Sequence, residues 1–337
     1  MILLTGATGF LGAYLLRELV QQGYRIRATR RANSRLNLVQ PYLDHAQVSW
    51  VECDMLDLLA LDEAMQGVDR VVHAAAMVSF SLSDRRQMMR VNQEGTANIV
   101  NLCLEHGIEK LCHVSSIAAI GRAESGYDVT EDTDWQPGNH KGYYELSKHL
   151  AEMEVWRGIA EGLTAVMVNP SIILGAGYWE QGSPELFEKV ATGLKFYATG
   201  RTGFVDVRDV ARATVSLLES EVDNARFILN GDNLPYRTLF DTTADALGRD
   251  RPSVKVTPLI AETVWRLEWF RSKFTGKKPL ITKETARHSR RSYTYDGSRI
   301  LTALPDFDYT PIEQTIRDTA AVYQESRAAG HDYGLLG

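Results

Sequence analysis

Four glycines, Gly23, Gly67, Gly107 and Gly162, each close an apolar-periodic run and stand just before a short β-rich one. A residue free to adopt the left-handed conformation commonly ends a helix, so four such stops in register mark repeated strand and helix units. The β-rich runs at residues 2–5, 25–29, 48–53, 70–74, 110–115 and 164–169 predict strands. Helices are expected near 11–22, 61–66, 86–106 and 143–161, and the alternation implies a doubly wound α/β fold with a parallel sheet. After Pro170 the pattern changes to Gly- and Pro-rich loops between helices, with few strand-like pieces such as 225–230. No repeat or low-complexity linker interrupts the 337 residues, so one body with a smaller, mostly helical C-terminal lobe is expected.

Composition excludes several function classes. Charged residues make up 24% and the net charge is −6, so no global basic field favours nucleic acid. No apolar run reaches bilayer length, and the N-terminus shows no secretory pattern, which makes the cytoplasm the expected location. Cys53, Cys103 and Cys112 form no CxxC pair and read as buried thiols of a reducing compartment.

The first strand runs directly into Gly6-Ala7-Thr8-Gly9-Phe10-Leu11-Gly12, which opens the first helix. Glycines here permit a tight turn, close approach of backbone N–H groups to a pyrophosphate, and packing of helix on strand. A Rossmann-type dinucleotide-binding domain is therefore expected over 1–169, with 204–230 returning to it, and a substrate lobe over 170–203 and 231–337. The second strand ends in Arg30 and Arg31 without a carboxylate for a ribose hydroxyl, so a 2′-phosphate clamp is the reading and NADP(H) is favoured over NAD(H). Asp54, followed by Met55, falls where adenine would lie, and helix capping within Asp54-Met55-Leu56-Asp57 is the competing role.

Tyr144-Glu145-Leu146-Ser147-Lys148 sets a phenol and an ammonium one turn apart on one helix face. A free tyrosine titrates near 10, and only a nearby positive charge makes it useful as a base near neutrality. The fifth strand ends in Ser115-Ser116, which presents hydroxyls where substrate would lie; Ser116 is assigned to the reacting oxygen, with local turn capping as the alternative. Tyr143, the adjacent phenol, has the wrong offset from Lys148 and reads as a packing or wall residue. His73 and His113 read as hydrogen-bonded core histidines rather than metal ligands.

The glycine loop, His73 to Ala76, Asn92 in Val91-Asn92-Gln93-Glu94-Gly95-Thr96, Ser116, Tyr144 and Lys148 follow one another in an order that resembles the extended short-chain dehydrogenase/reductases, within the NAD-dependent epimerase/dehydratase group. The resemblance spans about residues 1–215. It implies that Ala74, Ala75 and Ala76 line the cofactor, that Asn92 supports the catalytic site, and that Pro170 and Ser171 border the nicotinamide. Residues 203–210 resemble the segment by which such chains return to the cofactor lobe. Homodimerisation is a family expectation.

Departures narrow the branch. Ile117 and Ala118 stand where the family's dehydratases carry an Asp-Glu pair, and aliphatic side chains cannot move protons. Ile120-Gly121 and the run from Asn169 to Gly175 depart from the nucleotide-sugar epimerase pattern. Val78-Ser79-Phe80 and the basic second-strand end look more like dihydroflavonol reductases and related carbonyl or steroid dehydrogenases. The expected reaction is reduction of a small-molecule ketone or aldehyde, or the reverse oxidation, with a nucleotide-sugar epimerase or a non-catalytic NAD(P)-binding regulator as the alternatives. Trp265, Trp269, Phe270 and Phe274, among cations such as Arg266 and Lys273, read as a helix packing its aromatics inward, with a membrane-surface helix as the other possibility; the cations of 283–299 read as an exposed run, with a place for an anionic substrate group as the alternative.

Overall fold

The computed structural model describes residues 1–122, 128–136, 142–256 and 292–337. The aromatic and basic stretches at 265–278 and 283–291 lie outside the described residues. Arg299 lies within them, ion-paired with Glu131 and Asp132.

The six strands expected in the first half form as β1 (Ile2–Thr5), β2 (Ile26–Arg30), β3 (Val48–Glu52), β4 (Arg70–His73), β5 (Lys110–Val114) and β6 (Ala165–Pro170). The helices between them are α1 (Phe10–Gln21), α2 (Leu58–Met65), α3 (Arg85–Met89), α4 (Gly95–Glu105) and α5 (Tyr143–Ala160). Gly23, Gly67, Gly107 and Gly162 all have positive φ, between 63° and 104°, in keeping with their reading as helix stops. With β10 (Ala225–Leu229) the strands make a parallel sheet in the order β3-β2-β1-β4-β5-β6-β10.

Neighbouring residues on each strand feed opposite cores, because side chains alternate across a sheet. Leu4, Val72, Cys112 and Val166 pack with α1 and with α7 (Val207–Glu219), whereas Leu3, Val71, Leu111 and Ala165 pack with α2, α4 and α5. Both faces are covered, which is why these strands read as nearly continuous apolar runs. Strand order reverses between β1 and β4, and the crevice at their carboxyl ends is where open α/β sheets take ligands.

Two features differ from the expectation. Residues 86–106 do not form one regular helix: a π-helical segment, Arg90–Glu94, separates α3 from α4 and contains Asn92. The C-terminal half also holds more short strands than its sequence suggests. β7 (Ile172–Leu174), β9 (Arg201–Asp206) and β11 (Asp232–Pro235) make a second sheet, and β8 (Phe196–Tyr197) pairs with β12 (Val254–Lys255). Strands of two or three residues leave too little alternation to read locally. α8 (Tyr236–Leu247) packs against the helix Ile312–Ala328 in this part of the chain. No helix among the described residues is long and apolar enough to cross a membrane.

Candidate active site

The glycine loop is shaped by contacts that leave no room for side chains. Gly6 has φ +73°, and a Cβ there would sit 2.7 Å from the Ala75 nitrogen and 2.8 Å from the Ala74 carbonyl oxygen. A Cβ on Gly12 would come within 2.0 Å of the Gly6 oxygen. The loop thus lies against residues 74–76, and Gly9 caps α1 with no side chain over its N–H groups. Phe10 folds away from the turn, edge-on to Tyr14 at 6.0 Å, and packs on Gly177. Thr8 and Leu11 are half-buried beside it. A bare glycine cradle at the positive end of a twelve-residue helix suits a pyrophosphate.

Arg30 ends β2 half-buried and Arg31 is exposed; among the described residues neither side chain has an ion pair. The next arginine is committed elsewhere, since Arg35 pairs with Asp332 at 2.6 Å and lies over the Tyr178 ring. Asp54 accepts a hydrogen bond from the Leu56 N–H at 2.9 Å and so closes the turn ahead of α2, whereas the helix cap itself is Asp57, which accepts the Ala60 N–H. Met55 is 6% exposed and packs against Gly95, so its side chain faces the core.

α5 begins at Tyr143 because the Glu145 carboxylate accepts the Gly142 N–H at 3.0 Å, a capping contact. Its inner face carries Ser147, Lys148, Ala151, Glu152, Val155 and Gly158, so two charged residues lie on the buried stripe. Lys148 is 2% exposed and donates to the Val114 carbonyl at the end of β5, at 2.9 Å. Burial pulls its ammonium down to about 8, opposed by Glu152. Burial pushes the Tyr144 phenol above its usual value, and the nearby Ser116 hydroxyl works the other way. Ser116 caps the turn Ile117–Ala119, accepting from the Ala118 N–H at 3.1 Å, which is the capping role read from the sequence. Phe80 stands edge-on to the Tyr144 ring at 5.9 Å, and the Arg85 guanidinium covers the Tyr143 ring at 3.8 Å.

Asn92 is a clamp. Its Oδ1 accepts the Met77 N–H at 2.7 Å, and its Nδ2 donates to the Met77 carbonyl at 3.0 Å and to Ser147 Oγ at 2.9 Å. The π-helical turn aims this side chain between the loop after β4 and α5, a common place for such bulges. Asn92→Ala leaves the half-buried Met77 N–H and carbonyl and the buried Ser147 hydroxyl without this partner, and chemical denaturation should read a loss of about 1–3 kcal/mol.

The histidines divide. His73 lies between Thr5 Oγ1 at 2.7 Å and Thr96 Oγ1 at 3.1 Å, whereas both ring nitrogens of His113 lack a hydrogen-bond partner among the described residues, against expectation. Burial holds both well below the usual value, His73 at about 3, so both rings stay neutral near pH 7. The Ser115 and Ser171 hydroxyls, just past the ends of β5 and β6, are buried and without a hydrogen-bond partner among the described residues. Donors left open beside a bare glycine cradle fit a dinucleotide.

Three residues of the site escaped the sequence reading: Glu152, Asn169 and Arg226. Glu152 shows no exposed surface and pairs with Arg226 at 3.1 Å; Asn169 donates to Glu152 and, at 3.0 Å, to the Ser116 carbonyl. The available signal was a glutamate on the same helical stripe as Lys148, Ala151 and Val155.

Residues 2–229 match the family model described as the NAD dependent epimerase/dehydratase family. The chain belongs to this family. It is 29% identical over 335 residues to a putative dihydroflavonol 4-reductase of Synechocystis, covering 95% of this chain and 93% of that one. Cinnamoyl-CoA reductase 1 of Petunia hybrida is 30% identical over 241 residues, 68% of this chain and 72% of its own. The crystal structure of gox2253 superposes with a TM-score of 0.82 at 29% identity, covering 96% and 98% of the two chains. This family member is therefore an NAD(P)-binding enzyme of the extended short-chain dehydrogenase/reductase type.

Proposed function

We propose that the protein is an NADP(H)-preferring reductase of a bulky, apolar ketone or aldehyde, working also in reverse on the alcohol. The observation that carries this reading is the placement of Tyr144: its ring stands edge-on to the exposed Phe80, one helical turn from Lys148, which is buried and anchored on the Val114 carbonyl at the strand end that leads to Ser116. A protonated phenol is a proton donor, which a carbonyl needs as its oxygen gains electrons. Ser116 and Tyr144 would hold that oxygen, and Lys148 would orient the cofactor and keep positive charge near the phenol. When bound, the nicotinamide supplies or accepts the hydride.

The glycine loop with Thr8, Phe10 and Leu11, the strip Ala74 to Ala76, Asp54 and Met55 at the adenine side, and Pro170 and Ser171 at the nicotinamide side would complete the cofactor site. Phe80, 44% exposed and edge-on to Tyr144, offers an apolar wall to substrate, and Val78, 61% exposed two residues earlier, would extend it. The relatives named for reducing a dihydroflavonol and a cinnamoyl thioester support the same choice. Residues 1–169 with 204–230 would serve the cofactor and the remainder the substrate. We place the enzyme in the cytoplasm, where its three buried thiols stay reduced, and expect a homodimer.

Purified protein given NADPH should turn over bulky carbonyl compounds and leave UDP-sugars untouched; tightly held NAD with UDP-sugar epimerisation would replace this reading. For the cofactor, Arg30→Ala with Arg31→Ala should raise the Kd of NADPH about 10- to 100-fold and barely change that of NADH, since each removes a charged hydrogen bond to phosphate. Equal weakening of both would refute the clamp.

A further inference from the structure

Behind Lys148, buried charges run from α5 to the sheet edge and back to Ser116. Glu152 lies one turn beyond Lys148 on the same stripe and shows no exposed surface. One carboxylate oxygen takes the Asn169 amide and the other meets Arg226 of β10 at 3.1 Å. Asn169 gives its other amide hydrogen to the Ser116 carbonyl, 3.0 Å away. Arg226 is itself held by the Glu131 carbonyl, at 2.9 Å from its Nε, while the Glu131 side chain accepts the Ile228 N–H.

We propose that Glu152 is a positioning residue: it is the counter-charge that keeps the buried Lys148 an ammonium, and through Asn169 it fixes the strand end that carries Ser116. The inference rests on the assignment of Tyr144 and Lys148 as the proton-handling pair. A buried ammonium with a single carbonyl partner sheds its proton readily unless a negative charge stands near. The groups facing Lys148 are few. Tyr144 and Glu152 come from its own helix, His73 from β4 and His113 from β5; both histidines are neutral. Arg226 stands behind Glu152 and opposes it, and Glu131 stands behind Arg226. Across α5, Arg85 is spent on Tyr143 and Arg90 on Glu94. Glu152 is therefore the negative charge nearest to Lys148 on the stripe, and its sharing with Arg226 tempers its pull.

Glu152→Gln keeps the shape and the acceptor for Asn169 but removes the charge. Two readings should move together: the alkaline limb of kcat/KM, and the titration of the Lys148 side chain in cofactor-free protein, followed by NMR of 13C-labelled lysine with the signal assigned by its loss in Lys148→Arg. Both should shift by about one pH unit toward acid, the direction set by removing a negative charge one helical turn away. Arg226→Gln should shift both toward alkali. Because Glu152→Gln leaves Arg226 uncompensated and endangers folding, Glu152→Gln/Arg226→Gln restores neutrality and should still show the acid shift. Reduced turnover with both titrations unmoved would overturn the proposal and leave Glu152 a scaffold residue. The Lys148 signal reports on Glu152 even if Tyr144→Phe retains full turnover, an outcome that would strike the catalytic assignment instead.

Discussion

Tyr144→Phe should lower kcat with a bulky carbonyl substrate and NADPH by about two to four orders of magnitude, the usual contribution of a positioned general acid. Its effect on cofactor affinity should be small. Only the hydroxyl is removed, and the ring keeps its edge contact with Phe80 at 5.9 Å, so the aromatic wall survives. The measurement is single-turnover reduction beside NADPH binding by fluorescence quenching. Turnover within a few-fold of the parent would take Tyr144 out of the chemistry. A parallel loss of NADPH affinity would make the residue a binding group.

The second large effect is expected far from the chemistry. Gly12→Ala places a methyl group 2.0 Å from the Gly6 oxygen and 2.8 Å from its carbonyl carbon, and a backbone carbonyl cannot rotate aside as a side chain can. Either the turn opens or α1 slides outward, and its buried face, Ala13, Tyr14, Leu15, Leu16 and Leu19, moves with it. Overpacking of this kind costs about 3 kcal/mol, and a loss of that size in the cofactor-competent state raises the NADPH Kd more than about 100-fold. Calorimetric binding and a thermal melt on the same sample separate the two routes: a normal melt with lost binding means an opened turn, a lowered melt means a displaced helix. Unchanged binding with an unchanged melt would show that the glycine cradle is not packed as described. Gly23→Ala is the control, because nothing lies within 4 Å of a Cβ there and only its positive φ, +86°, is strained.

The sequence by itself determined the first half of the fold, within a residue or two at most strand and helix ends. The reason is that each signal is local. A strand buried on both faces reads as an apolar run, a helix stop as a glycine, and a phosphate cradle as glycines between a strand and a helix. Tyr144 and Lys148 were legible for the same reason, since one helical turn sets their spacing. Tertiary structure alone decided what those residues experience. The lysine turns to Val114, 34 residues back; Asn92 closes on Ser147, 55 residues ahead; Glu152 finds its countercharge 74 residues away on β10. Burial and charge pairing across the sheet are set by which strands lie side by side, and no window along the chain contains both partners. A glutamate four residues after a lysine looks like a solvated helix pair, and packing of α5 on the sheet turns it into a buried counter-ion.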